Sequence, residues 1–385
     1  MSNLAQKGHE TWHHMQIVTH RFYFRPGNGF PENGLSTMRA SIKRGLRNHE
    51  WDIAYAGEGP IVDHDFSAYR NLDIDEEFAH LSIDDVEGKP ILIRRFQSNA
   101  FATESTPSQD SLQTAENTFK EFLKLAPDGT GFPDCRDQEI AEYWADLSHQ
   151  EAHKSALLMF YTFAYHDGKD VAEAIKQFNP HPDWRARSKF VLNFYPSELI
   201  TVATRRGMPA DTVEDLFNVG KAVLESFPTA GIKLFGLVAM CSGLTPDDFD
   251  TFEALTKEER SAIYAEQAMV KLVGWARTSN QFPHLKIGSG TRAYDCSIPQ
   301  ADGSRMYFTY SLMTGRMVPW PTLPALRKIK ERYSTPGVAE ILRPDFLITD
   351  EPERAALPCC GIPADDTLGF KHPRFDTVPE QPKMD

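Results

Sequence analysis

The sequence predicts a mainly α-helical chain, with a two-lobed helical core, a small N-terminal α+β domain and an irregular C-terminal tail. Three observations lead there. Across 157–223 apolar residues recur at three- and four-residue steps, broken at Gly168, Pro180, Pro182, Pro196, Gly207 and Pro209. That is the pattern of several short amphipathic helices packed on one another. Thr256 followed by Glu259 forms a capping box ahead of a long amphipathic helix ending near Ser279. Beyond Thr349 the chain is rich in proline and charge and has no periodicity.

The elements follow in order. The first domain is placed at 1–96, with a β-prone run at 15–24 (MQIVTHRFYF), an amphipathic basic helix at 35–48 and a strand at 90–96 (PILIRRF). Residues 97–114 are rich in Ser, Thr and Gln and read as a linker. A helical N-lobe spans 115–255, with helices at 115–125 and 138–164 around the turn DGTGFPDC. The C-lobe spans 256–345. Its first helix turns Ile263, Met269, Val270, Leu272 and Val273 inward and leaves Arg260, Lys271 and Arg277 on the wet side. A β-hairpin turning at Ala301, Asp302, Gly303 and Ser304 interrupts it, and a helix with Arg327, Lys328, Lys330 and Arg332 follows over 324–343. Residues 346–385 form the tail, mobile or clasping a neighbour.

With 385 residues, 41% of them hydrophobic, the chain can bury a substantial core. No window of about eighteen apolar residues exists, so no membrane partner is expected, and the first residues lack the apolar stretch of a secretory signal. Five cysteines without CxxC spacing point to a reducing, cytoplasmic setting. The net charge of −13 sits in the flanks, while 260–343 is locally basic. Phosphate binding depends on that local field rather than on net charge.

Little in the sequence suggests catalysis. His149 and His153 share a helix face, with Asp146 one turn earlier, which is the raw material of a metal-dependent hydrolase. The glutamate is not placed as a zinc protease requires, so a solvated helix face is preferred. His9, His13, His14 and His20 form a loose cluster in a polar segment. Gly288, Ser289 and Gly290 before Thr291 and Arg292 could cradle one phosphate, but an ordinary turn is the simpler reading. No catalytic residue, metal site or cofactor is expected. Cations mark the corners of the helical segments: Arg185, Arg187 and Lys189 beside Trp184, Arg205 and Arg206 at a helix end, Lys221, and further on Arg277 and Arg292. Long cations fixed at helix ends suit a polyanion, and aromatic neighbours suit stacked bases.

Within 157–223 the order Phe163–Ala164–Tyr165, Asp170–Val171, Thr204–Arg205–Arg206–Gly207 and Gly220–Lys221–Ala222 resembles the N-terminal lobe of phlebovirus and tenuivirus nucleoproteins. The resemblance implies a non-enzymatic viral nucleoprotein in host cytoplasm and virion, coating single-stranded RNA without sequence preference. Arg185, Arg187, Lys189, Arg205, Arg206, Lys221, Arg277 and Arg292 would then line the RNA groove. It further implies a homo-oligomer joined through a terminal segment, with a viral polymerase as another partner. A helical protein–protein adaptor and the His149/His153 hydrolase are the competing readings.

Overall fold

The structure, a computed structural model, describes residues 16–22, 30–57, 59–95, 104–135, 140, 143, 158–161, 189–239, 245–249, 251–290, 296–299, 305–311, 316–319 and 345–349. The chain divides into two units, one mainly Met1–Cys135 and the other mainly Phe160–Leu347.

In the first unit β1 (Gln16–Thr19) leads through the turn His20–Phe22 to α1 (Leu35–Lys43) and β2 (Asn48–Asp52). An excursion follows: β3 (Ala54–Ala56), β4 (Gly59–Ile61), α2 (Tyr69–Leu72), α3 (Ile83–Val86), β5 (Pro90–Arg95) and β6 (Glu104–Ser111). It packs around its own small core of Ala54, Ala56, Ile61, Ala68, Phe78, Val86, Ile91 and Leu112. The β6 strand, inside the stretch read as linker, pairs antiparallel with β5 and carries Asp110. That carboxylate accepts from Ser36 N at 3.1 Å, which ties the excursion to the start of α1. The chain then returns through α4 (Ala115–Leu125) to β7 (Thr130–Cys135). Thr114 caps α4 by accepting from Asn117 N.

β1, β2 and β7 run parallel, with Thr19 opposite His49 and Asp52 opposite Asp134. Alternation along β2 sends Glu50 and Asp52 to one face and His49 and Trp51 to the other. His49 and Trp51 pack toward the helices: Ser41 Oγ of α1 lies 3.3 Å from His49 Nδ1, and the Phe122 ring of α4 sits 5.8 Å from His49 and 5.4 Å from Trp51. His49 Nδ1 also lies 2.6 Å from Thr19 Oγ1. Its complete burial drives its pKa from 6.5 down to about 3, so it is held as the neutral imidazole.

After β8 (Leu158–Tyr161), the second unit runs β9 (Lys189–Phe194), α5 (Pro196–Arg206), α6 (Val213–Thr229), β10 (Leu234–Ala239), α7 (Lys257–Thr278) and β11 (Lys286–Gly290). A three-stranded meander follows, β12 (Cys296–Pro299), β13 (Arg305–Ser311) and β14 (Arg316–Pro319), and then β15 (Phe346–Thr349). β9, β10 and β11 are parallel, with Leu237 opposite both Leu192 and Ile287. The helices α5, α6 and α7 meet at Gly220, where a Cβ would come within 2.7 Å of Leu272 and 2.9 Å of Leu199. The capping box at Thr256 and Glu259 is formed, and Ile263, Met269, Leu272 and Val273 are buried as expected. Pro299 pairs with Arg305 across the expected hairpin, whose turn residues lie outside the described ones.

Eight strands close into a barrel in the order β1-β15-β11-β10-β9-β8-β7-β2. This corrects the expected mainly α, two-lobed core: the chain is an α/β barrel. The 157–223 stretch read as helices contains β8 and β9 as well as α5 and most of α6. In β9 the residues Phe190–Phe194 are buried on both faces, and such a strand loses the alternation that marks a half-exposed one and cannot be told from a buried helix by periodicity. β15 likewise lies at the start of the segment read as tail.

Two stability predictions follow from the packing. A Cβ at Gly288 would overlap the buried Phe346 ring and come within 2.9 Å of Val238. Gly288→Ala should therefore lower stability by about 1–3 kcal/mol, measured by urea unfolding. The second concerns acid. His49 is neutral when folded but charges near 6.5 when unfolded, so its contribution is intact above 6.5 and is lost as pH falls toward about 3. The acid limb of a Tm-versus-pH curve should be shallower in His49→Gln than in the wild type.

Candidate active site

The acidic face of β2 meets the end of β7. Because Asp52 and Asp134 are register partners in adjacent parallel strands, their side chains emerge side by side, with Glu50 one pleat back. Glu50, Asp52 and Asp134 each offer a carboxylate oxygen, and those three atoms lie within 4.8 Å of one another. The cluster stands at the carboxyl ends of its strands, where barrels of this architecture carry their chemistry.

The turn after β1 supplies the opposing charge. Arg21 and Phe22 both adopt left-handed backbone, at φ 48° and φ 63°. Non-glycine residues held there cost about 1–3 kcal/mol each and mark sites where the surroundings over-determine the geometry. The result is a three-way grip by Arg21. Its backbone N–H donates to Glu50 Oε2 at 2.9 Å, its Nε stands 3.1 Å from Asp52 Oδ2, and its Nη1 donates to Glu32 Oε2 at 2.8 Å. Asn33, itself left-handed, donates from Nδ2 to Asp52 Oδ2 at 3.1 Å and accepts from Asp52 N at 3.3 Å. His20 follows β1 and brings Nε2 to 3.9 Å from Glu50 Oε2, with a quarter of its side chain open to solvent.

A second group connects through Asn71. Its Nδ2 donates to Asp63 at 2.8 Å and reaches Glu32 Oε1 at 3.4 Å. The next residue after Asp63 is His64, whose Nδ1 lies 2.6 Å from Asp65 Oδ1. A carboxylate on Nδ1 fixes the tautomer in which Nε2 is the basic nitrogen.

Among the described residues the site is short of positive charge: Glu32, Glu50, Asp52 and Asp63 are all buried, and Asp134 is half-buried, around the guanidinium of Arg21. Glu50 shows the consequence. Burial first, then the charges of Asp52 and Asp134, push its carboxyl up to about 8. A cation would remove that penalty. An all-carboxylate donor set suits a hard divalent ion such as Mg²⁺ or Ca²⁺ rather than Zn²⁺. Oxygens within 4.8 Å of one another are close enough to share one such ion, since opposite ligands stand roughly 4.8 Å apart across Ca²⁺.

Most of the described residues singled out from sequence fall elsewhere. Arg205 and Arg206 form the last turn of α5 ahead of the left-handed Gly207, where cations complement the helix end. Lys221 lies on α6, 3.7 Å from Glu225 and over the Trp275 ring at 5.5 Å. Arg277 pairs with Asp345 at 3.2 Å. Lys189 opens β9. Arg185, Arg187, Arg292, Asp146, His149, His153, His9, His13 and His14 lie outside the described residues, as do the Phe163–Tyr165 and Asp170–Val171 motifs. Among the described sequence candidates, His20 alone belongs to the cluster. The missed residues did carry a signal: the alternation Asn48–His49–Glu50–Trp51–Asp52 puts two acids on one face of a short strand.

The nucleoprotein reading is corrected on these grounds. The segment that carries the resemblance contains barrel strands, and the described cations assigned to an RNA groove end a helix or pair with carboxylates: Arg205 and Arg206 close α5, Lys221 meets Glu225 and Arg277 meets Asp345. The non-enzymatic role goes with it, as do single-stranded RNA, a terminal-segment homo-oligomer and a viral polymerase as partners. No family model matches the chain, and no curated protein does. Among the solved structures it resembles are three phosphodiesterases. A glycerophosphoryl diester phosphodiesterase from Parabacteroides distasonis is 13% identical over 93% of this chain and 92% of its own, with a TM-score of 0.47. One from Thermotoga maritima is 14% identical over 89% and 97%, at 0.46. A phosphodiesterase from Oleispira antarctica, solved with the product sn-glycerol-3-phosphate, is 12% identical over 89% and 96%, at 0.44. At these scores the reading of the site rests on its own geometry.

Proposed function

We propose that this chain is a divalent-cation-dependent phosphodiesterase, and that its substrates are glycerophosphodiesters. The observation that supports this is the Glu50–Asp52–Asp134 cluster with His20 and Arg21 against it. Three carboxylates hold a cation, a guanidinium favours a phosphate, and an imidazole moves a proton. Hydrolysis of a phosphodiester needs all three of those functions.

The division of labour follows from the contacts. Glu50, Asp52 and Asp134 would hold the cation, which would supply positive charge to offset that accumulating on the phosphoryl oxygens. Arg21 is held by Glu32 and Asp52, so its positive potential is pre-set where an anionic substrate would arrive. His20 and His64 are the proton-transfer candidates. His20 stands at the cluster itself, and His64 is held in one tautomer by Asp65. One withdraws a proton from the attacking hydroxyl or water as the other protonates the departing alcohol.

A direct assay decides the reading. Purified protein with Mg²⁺ or Ca²⁺ should release sn-glycerol-3-phosphate and the free alcohol from a glycerophosphodiester, and chelator should abolish the release. Hydrolysis undiminished after chelation would sink it. His20→Ala should lower kcat by about 10²–10⁴-fold while the protein stays folded by circular dichroism.

Cation affinity should depend on pH with a definite sign. Ligation requires ionised Glu50, whose pKa lies near 8 without the ion, so binding releases a proton. Calorimetry should show affinity rising with pH up to about 8 and then levelling, with no such rise in Glu50→Gln. In the cation-free protein the same raised value stabilises the fold fully below 4.5, and that contribution is lost as pH climbs through about 8.

A further inference from the structure

The cluster depends on a backbone that its own residues disfavour. Arg21 (φ 48°, ψ 44°) and Phe22 (φ 63°) are consecutive left-handed residues, and neither is glycine. A free chain would place both residues in the extended or right-handed region, since the Cβ of each collides with backbone in the left-handed one. Something must hold the turn, and the contacts of Phe22 identify it. Phe22 is completely buried, its ring stacks on Trp51 at 5.2 Å with planes 28° apart, and it lies 6.0 Å from His49. Trp51 and His49 are the outward residues of β2, alternating with the ligands Glu50 and Asp52. The ring of Phe22 is therefore fastened to the back of the strand whose front carries the acids.

We infer that Phe22 is a positioning residue: its stack on Trp51 clamps the turn left-handed and so delivers Arg21 N–H to Glu50 and the Arg21 guanidinium to Asp52. The two ends of the clamp belong to one short strand, so the position of Arg21 is referenced to its carboxylate partners rather than to a loop. The inference concerns the geometry of the site described above and draws on the phosphodiesterase reading only for one of its readouts.

Two substitutions separate positioning from simple core filling. Phe22→Leu fills part of the volume but removes the ring and keeps the left-handed penalty. Phe22→Gly leaves a larger cavity yet accepts φ 63° without strain. Core filling alone predicts that Gly is the worse variant by every measure. Positioning predicts a crossover, with Gly lower in Tm but Leu worse at the site. The direct readout is the Arg21 Nε–H resonance in nitrogen-labelled protein, identified as the signal missing from Arg21→Lys. It should be retained in Phe22→Gly and lost or exchange-broadened in Phe22→Leu. Mg²⁺ affinity and, where the protein hydrolyses a diester, kcat/KM should fall about tenfold or more in Phe22→Leu and less in Phe22→Gly.

Should Phe22→Gly not fold, the other half of the clamp serves. Trp51→Phe keeps an aromatic partner and should keep the resonance, while Trp51→Leu should lose it. An Arg21 signal unchanged in both Phe22→Leu and Trp51→Leu overturns the inference, as does a Leu variant that outperforms Gly at the site. The resonance is read without substrate or cation. A wild type that hydrolyses nothing would therefore sink the phosphodiesterase reading and leave this test standing.

Discussion

The site hangs on the parallel register of β2 between β1 and β7. Side chains alternate along a strand, so the pairing that sets Thr19 opposite His49 and Asp52 opposite Asp134 decides which of five consecutive residues face the acids and which face the helices. A slip of one residue would turn Glu50 and Asp52 toward α1 and α4 and send His49 and Trp51 the other way. The apolar and acidic halves of Asn48–Asp52 thus enforce each other. Trp51 and His49 fill a space among Phe22, Ser41 and Phe122 that no carboxylate could occupy without stranding its charge.

That register creates an electrostatic problem which the rest of the first unit contains only in part. Buried carboxylates crowd one end of the strands, and Glu50 responds by holding its proton to about 8. Arg21 offsets Asp52 and Glu32, Asn33 satisfies Asp52 through both donor and acceptor, and Asn71 bridges Asp63 and Glu32. Each is a short-range device that spreads or orients the negative charge without removing it. A cluster arranged only for stability would be replaced advantageously by apolar side chains of similar volume. The cluster and the two left-handed backbone positions beside it are what the proposed cation site draws on.

The helical reading of 157–223 failed for a reason visible in particular residues. Lys189–Phe194 reads Lys-Phe-Val-Leu-Asn-Phe, and Leu158–Tyr161 reads Leu-Met-Phe-Tyr. Neither alternates, and in β9 the reason is burial on both faces: Phe190, Val191, Leu192, Asn193 and Phe194 are all buried. Some of the cations on the helices find partners remote in sequence, which a local pattern cannot show. Arg277 finds Asp345 and Lys271 finds Glu214, pairings that no local pattern announces. Gly220, part of the motif that suggested the nucleoprotein lobe, is small because Leu199 and Leu272 press on it where three helices meet.

Local chemistry was legible wherever the cause is local. The cap at Thr256, the helices Ala115–Leu125 and Lys257–Thr278, the strand at 90–95 and the hairpin of β12 and β13 follow from hydrogen bonds and periodicities spanning a few residues. The barrel and the site required the tertiary structure. Closing the barrel depends on pairings between strands far apart in the chain. The acidic cluster joins residue 50 to residue 134, and its counter-charge comes from a left-handed Arg21 that propensity alone argues against. The sequence determined which segments could be helix or strand and which residues bore charge. Only the fold decided which charges would be buried together, because that depends on strand register, and register is set by the whole sheet.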